Sequence, residues 1–117
     1  MQNYPPVLSD YFWRPARRPG KDISGAAGSL RQGAWISCAA DVREGCLQHV
    51  GFRVAACPHI IAACNWLAEQ LEGAPVDALR ELPLCELQLK FDIPVEKAGK
   101  LLILKDAAEA CYAQYRA

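Results

Sequence analysis

Six cysteines (Cys38, Cys46, Cys57, Cys64, Cys85, Cys111) and two histidines (His49, His59) are the side chains able to act as thiolate nucleophiles or soft metal ligands. No two cysteines form a Cys-x-x-Cys pair, so zinc-ribbon and thioredoxin-type chemistry lack support. Cys57 stands apart because Pro58 follows it. Proline fits the first position of a helix, where its missing N–H costs nothing, and this places Cys57 at the N-cap. A thiol at the positive end of a helix is favoured as a thiolate, and so as a ligand or a nucleophile. The plain alternative is a small apolar cap residue that does no chemistry. His59, two residues on, points about 200° away around such a helix, which is poor geometry for shared coordination. Cys64 lies two turns on, roughly 10 Å along the axis, too far for one metal. Cys38, Cys46, His49 and His59 are the remaining candidates for a rebuilt site, and both histidines read better as surface or packing residues.

The elements that must position Cys57 follow from periodicity. Upstream, Phe52 and Val54 alternate with Gly51, Arg53 and Ala55, a strand period. Downstream, Ile60, Ile61, Cys64, Leu67, Ala68 and Leu71 recur at helical spacing until Gly73. Residues 34–40 and 46–55 are two strands joined by a loop over 41–45. The simplest hairpin register sets Cys38 opposite His49, although a one-residue slip would reverse the faces. The glycine-rich residues 23–32 are an edge strand or a flexible loop, since glycine weakens a strand unless something approaches its backbone closely. Residues 4–13 form a short amphipathic helix bearing Val7, Leu8, Tyr11 and Phe12, opened by two prolines and ended by Pro15. A basic run follows, Arg14-Pro15-Ala16-Arg17-Arg18-Pro19-Gly20-Lys21, which reads as solvated or as a contact for an acidic partner. Short helices are expected at 75–82 (Val76, Leu79, Leu82 inward) and after Pro83 (Leu84, Leu87, Phe91). An extended or turn connector spans 93–97. A last helix over about 96–115 carries Leu101, Leu104, Ala108, Cys111, Tyr112 and Tyr115, with Cys64 and Cys111 acting as small core hydrophobes. Strands first and helices after describe an α+β domain, a small three-stranded antiparallel sheet with helices on one side.

At 117 residues the chain is one domain, 1–117, and 52% hydrophobic content is enough for a core. Thirteen Lys/Arg balance thirteen Asp/Glu, which excludes an electrostatic nucleic-acid binder. The opening residues lack a basic then apolar pattern, and no 18-residue uncharged apolar run occurs, so neither a secretory signal nor a membrane span is expected. The cysteines are then reduced thiols of a cytoplasmic protein. No Ser-His-Asp order, phosphate loop or paired-carboxylate constellation stands out, so no catalytic residue is assigned and an enzyme is not expected.

Several motifs occur in an order that resembles the iron–sulfur cluster assembly scaffold family, IscU and the N-terminal domain of NifU. Tyr4…Val7…Asp10-Tyr11-Phe12…Pro15…Gly20 is similar to that family's N-terminal helix and following loop. Phe52-Arg53…Cys57 looks like its strand, central cysteine and long helix. Ile93-Pro94-Val95-Glu96-Lys97 stands where the family carries Leu-Pro-Pro-Val-Lys, gripped by a dedicated Hsp70-type chaperone. Asp106-Ala107-Ala108…Tyr115 is similar to the closing helix. The resemblance runs almost end to end and implies the IscU/NifU-N-like fold.

It also implies a ligand set, and there this sequence departs. Clusters need soft thiolates. The family's Cys-Gly-Asp falls on Arg31-Gln32-Gly33, and its final His-Cys falls on Gly99-Lys100. Of these metal ligands Cys57 alone is kept. The proline segment is altered as well, with Glu96 where an apolar residue is expected. Arg31 and Lys100 would oppose a metal cation by on the order of a few kcal/mol, and would favour a thiolate at Cys57. The expectation is a degenerate scaffold-like protein of iron–sulfur assembly, docking onto a cysteine desulfurase or Hsp70-type chaperone and accepting sulfur at Cys57. A non-catalytic interaction or regulatory module is the alternative. No cofactor is expected, with iron or a 2Fe–2S cluster the outcome if the reading of lost ligands is wrong.

Overall fold

The computed structural model describes residues 5–15 and 17–116. Helix α1 (Pro6–Phe12) opens on Pro5-Pro6 and stops at Trp13, ahead of Pro15. Leu8 is fully buried and Val7, Tyr11 and Phe12 are packed beside it, which is the expected apolar side. The expected start at Tyr4 lies outside the described residues.

Three strands follow, β1 (Ile23–Ser29), β2 (Ala34–Arg43) and β3 (Cys46–Ala55), antiparallel in the order β1-β2-β3. The glycine-rich stretch is therefore a strand, and a helix supplies the close approach that glycine permits. A methyl group on Gly25 would run into the backbone of Ala110 and Cys111. The β2–β3 connection is tighter than the expected loop over 41–45. Glu44 and Gly45 both take positive φ (52° and 77°), the signature of a two-residue hairpin turn, so β2 extends to Arg43.

The register also differs from expectation. Cys38 pairs with Phe52, and the ladder slips between Ala39 and Asp41, because β3 carries an extra residue in a bulge. His49 sits there at φ 53° with its side chain in solvent, whereas Cys38 faces the core. The bulge is stabilised from below by Glu72, whose carboxylate accepts the N–H groups of His49 (2.7 Å) and Val50 (3.0 Å). Burial raises the Glu72 pKa, but these two N–H groups and Arg17 outweigh it and hold the group below the ordinary value.

Helix α2 (Pro58–Leu71) packs between β3 and α1. Covered on two sides, it buries more than a single stripe. Ala62, Ala63 and Trp66 join the expected Ile60, Cys64, Leu67, Ala68 and Leu71, while Ile61 is only half-buried. Residues 75–82 condense to a 3₁₀ turn (Val76–Arg80), with Val76 and Leu79 buried and Leu82 half-buried. Helix α3 (Leu84–Lys90) delivers Phe91, fully buried and edge-on to Tyr11 at 5.9 Å and to Trp66 at 6.4 Å. A second 3₁₀ turn (Val95–Lys97) leads into α4 (Gly99–Arg116), which lies on β1 and β2. The helices thus cover one sheet face, that of Ile36, Cys38 and Ala40, in an α+β domain.

Candidate functional site

Cys57 lies where β3 ends and α2 begins, in extended conformation (φ −73°, ψ 163°), at the helix N-cap. Its carbonyl accepts the N–H groups of Ile60 (3.0 Å) and Ile61 (3.1 Å), while its side chain makes no capping bond and is half-buried. Proline at the first helical position fixes this geometry.

Two other segments reach the same end of the sheet. β2 starts at Ala34 beside the end of β3, with Trp35 opposite Ala55, so the β1–β2 turn over 30–33 lies there too. Arg31 is exposed on that turn, and Gly33 closes it at φ 82°. α4 runs antiparallel to β1. Gln114 accepts the Ser24 N–H (2.8 Å), the middle of α4 meets Gly25, and Ile103 meets Gly28. Its first residues, Gly99 and Lys100, consequently arrive at the turn. A methyl group on Gly33 would lie 3.8 Å from Lys100 Cε and 3.9 Å from its Nζ. Positions 33 and 100, 67 apart in the chain, are neighbours.

His59 marks the inner wall of this corner. It is buried, and its pKa is lowered from the ordinary 6.5, first by burial and then by Lys97 and Lys100, with Asp92 acting in the opposite sense. Lys97 was legible in the proline segment, but not its convergence with Lys100 on this imidazole. Within that segment Ile93 is a core residue (4% exposed), whereas Val95 stands in solvent at 82%. Among the described residues, no three His, Cys, Asp or Glu side chains come together to hold a metal ion.

The other thiols are placed elsewhere. Cys38, Cys64 and Cys111 are fully buried in the core. A hydrogen bond to the Cys111 thiol, and then burial, push the Cys38 pKa well up, and burial does the same for Cys64. Cys46 opens β3 beside Pro75, at the far end of a ten-residue strand from Cys57, and Cys85 is exposed on α3. The expected adjacency of Cys38 and His49 is absent: the two-residue turn, with Arg43 opposite Cys46, already moves the register past it, and the bulge adds one more residue, so that Cys38 faces Phe52. His49 Nδ1 instead lies 3.0 Å from the Asp41 carboxylate.

No family model and no curated protein matches this chain. Solved structures do. A nitrogen-fixing NifU-like protein (N-terminal) from Brucella abortus superposes with a TM-score of 0.72 at 18% identity, covering 96% of this chain and 93% of that one. A protein from the thermophile Fervidobacterium islandicum, given as an iron–sulfur cluster assembly scaffold for the SUF system, reaches 0.59 at 16% identity, over 91% and 82%. No helix among the described residues is long and apolar enough to cross a membrane. The element order, the three-stranded antiparallel sheet and these superpositions establish that the chain has an IscU/NifU-like fold.

Proposed function

We propose that this chain acts in cytoplasmic iron–sulfur cluster assembly as a non-enzymatic, scaffold-like protein whose ligand set is reduced to Cys57. In this reading it works by docking onto protein partners and by accepting sulfur at that thiol. The observation that carries the reading is the pairing of Gly33 with Lys100 at the corner that also holds Cys57. Where the resemblance places donors to a cluster, one position has no side chain and its neighbour is an ammonium group. A single thiol, with a bare backbone and an ammonium group at the other positions, does not fit a 2Fe–2S cargo, which needs several soft anionic ligands.

A sulfur atom suits the corner better than iron. A persulfide on a cysteine desulfurase carries its outer sulfur as R–S–SH. Attack by the Cys57 thiolate on that sulfur forms Cys57–S–SH and releases R–S⁻, with no external oxidant or reductant. Lys100 beside Gly33, with Arg31 exposed on the same turn, supplies positive charge that would draw an anionic sulfur donor to this corner. Incubation with a persulfidated desulfurase should leave Cys57 one sulfur atom heavier by mass spectrometry, and an unmodified Cys57 would refute acceptance.

Docking has separate support. A shallow groove between α3 and the start of α4 is lined by Leu84, Cys85, Gln88 and Leu102, and it adjoins exposed Leu89. Leu89 is 83% exposed and Leu102 57%, beside the segment over 93–97. Exposed leucines side by side at a groove are what a docking contact would use. Pull-downs with a cysteine desulfurase and an Hsp70-type chaperone should recover at least one of them, and recovery of neither would contradict the reading. The same patch favours the second reading, an interaction or regulatory module without sulfur chemistry. A Cys57→Ser change without effect, alongside loss of binding in Leu89→Asp and Leu102→Asp, would select it.

A further inference from the structure

The helices cover one face of the sheet and leave the other open. On that outer face β1 contributes Ser24 and Ala26, β2 contributes Trp35, Ser37 and Ala39, and β3 contributes Gly51 and Arg53, paired Ser37 with Arg53 and Ala39 with Gly51. The segment after α1 returns along this face. Gly20 donates its N–H to the His49 carbonyl (2.8 Å), and Pro19 lies so close over Gly51 that a methyl group there would come within 2.9 Å of it. Between segment and sheet is a cleft of about 570 Å³, lined by Arg18, Lys21, Arg53, Trp35 and Ser37 over a floor of small residues. A volume of this size suits a small molecule.

The charges of the basic run are divided. Arg14 pairs with Glu69 of α2, and Arg17 with Glu72, just past its end, at 2.6 Å, so both are neutralised. Arg18 and Lys21 line the cleft with Arg53, and none of the three is ion-paired among the described residues. No carboxylate lines the cleft. Asp41, the carboxylate held beside this segment, is engaged by the N–H groups of Lys21 (2.7 Å) and Asp22 (3.2 Å) and by the His49 ring.

We propose that this cleft binds a nucleoside di- or triphosphate, the phosphates held by Arg18, Lys21 and Arg53 and the base placed against Trp35. Three cations on one cleft of that volume match the concentrated charge of a polyphosphate better than the spaced carboxylates of an acidic peptide. An indole at its wall supplies a stacking surface for a flat ring, and Ser37 a hydroxyl for a phosphate or sugar oxygen. Cys57 does not line the cleft, so this site stands independently of sulfur acceptance.

Calorimetric titration of the full chain with ADP, ATP, pyrophosphate, adenosine and a glutamate-rich peptide tests the assignment. ADP and ATP are expected to bind, pyrophosphate more weakly, and adenosine and the peptide not measurably. Lys21→Ala and Arg53→Ala should each weaken ATP binding about tenfold or more, the loss expected for a charge-assisted contact. Trp35→Leu should weaken ATP without altering pyrophosphate binding. Both cationic side chains are exposed, so circular dichroism of these variants should match the parent chain. Absence of nucleotide binding, ATP affinity unchanged in Lys21→Ala and Arg53→Ala, pyrophosphate binding as tight as ATP, or preference for the peptide would each overturn the proposal.

Discussion

At the corner where β3 runs into α2, Cys57 is half-buried at the helix cap, and the buried imidazole of His59, two residues on, is within reach of the charges of Lys97 and Lys100. Positive charge there should steer anions toward Cys57. We therefore expect Lys100→Gln to slow alkylation of Cys57 by anionic iodoacetate about threefold more than by neutral iodoacetamide, read by mass spectrometry of the Cys57 peptide. Equal slowing would place Lys100 out of range of the thiol. Farther back along β3, Glu72 satisfies the two N–H groups that the bulge leaves without strand partners. Glu72→Ala should cost about 1–3 kcal/mol in urea unfolding, discounted for partial exposure. Glu72 and Asp41 both have pKa values below ordinary, Asp41 chiefly through the Lys21 N–H. Their contribution is full above the unfolded-state carboxylate pKa and is lost as the pH falls through the lower folded-state values. Stability should accordingly decline below about pH 4.5, less steeply in Glu72→Ala.

The elements themselves were largely legible, for local reasons. Proline at 6 and 58 and glycine at 73 punctuate the helices at α1 and α2, and the alternation around Phe52 marks β3. Cys57 at an N-cap needed nothing beyond its neighbour Pro58. What escaped was whatever depends on the extra residue in β3. The bulge at His49 comes from a left-handed backbone at a non-glycine residue, stabilised by a carboxylate 23 positions away, and no periodicity signals it. The Gly33–Lys100 contact was equally hidden as a contact, because it requires α4 to lie antiparallel on β1. The division of the basic run was hidden too, since which arginines are neutralised depends on Glu69 and Glu72 facing them from the last turn of α2 and its C-cap. Gly25 is where that packing is most exposed to test. Its lack of a side chain lets α4 sit against the strand, so Gly25→Val should force the helix away and cost about 1–3 kcal/mol or more, measured by chemical denaturation. Unchanged stability would mean that the helix does not sit this close.

Taken as a whole, the molecule brings three distant segments, the turn at Arg31–Gly33, the cap at Cys57 and the start of α4 at Lys100, to one end of a small sheet. The fold supplies this convergence whatever side chains occupy the positions, and the proposed loss of cluster chemistry lies in those side chains alone. Restoring them is then a fair test of the geometry. The combined variant Arg31→Cys, Gly33→Asp, Lys100→Cys should gain iron binding that depends on Cys57. Aspartate is among the better non-glycine residues for the left-handed backbone at 33. The most direct measurement on the natural chain is anaerobic reconstitution with iron and sulfide, followed by a visible spectrum and an iron count. We expect no charge-transfer bands and no stoichiometric iron. A stoichiometric cluster on the unaltered chain would contradict the proposed reduction of the ligand set to Cys57.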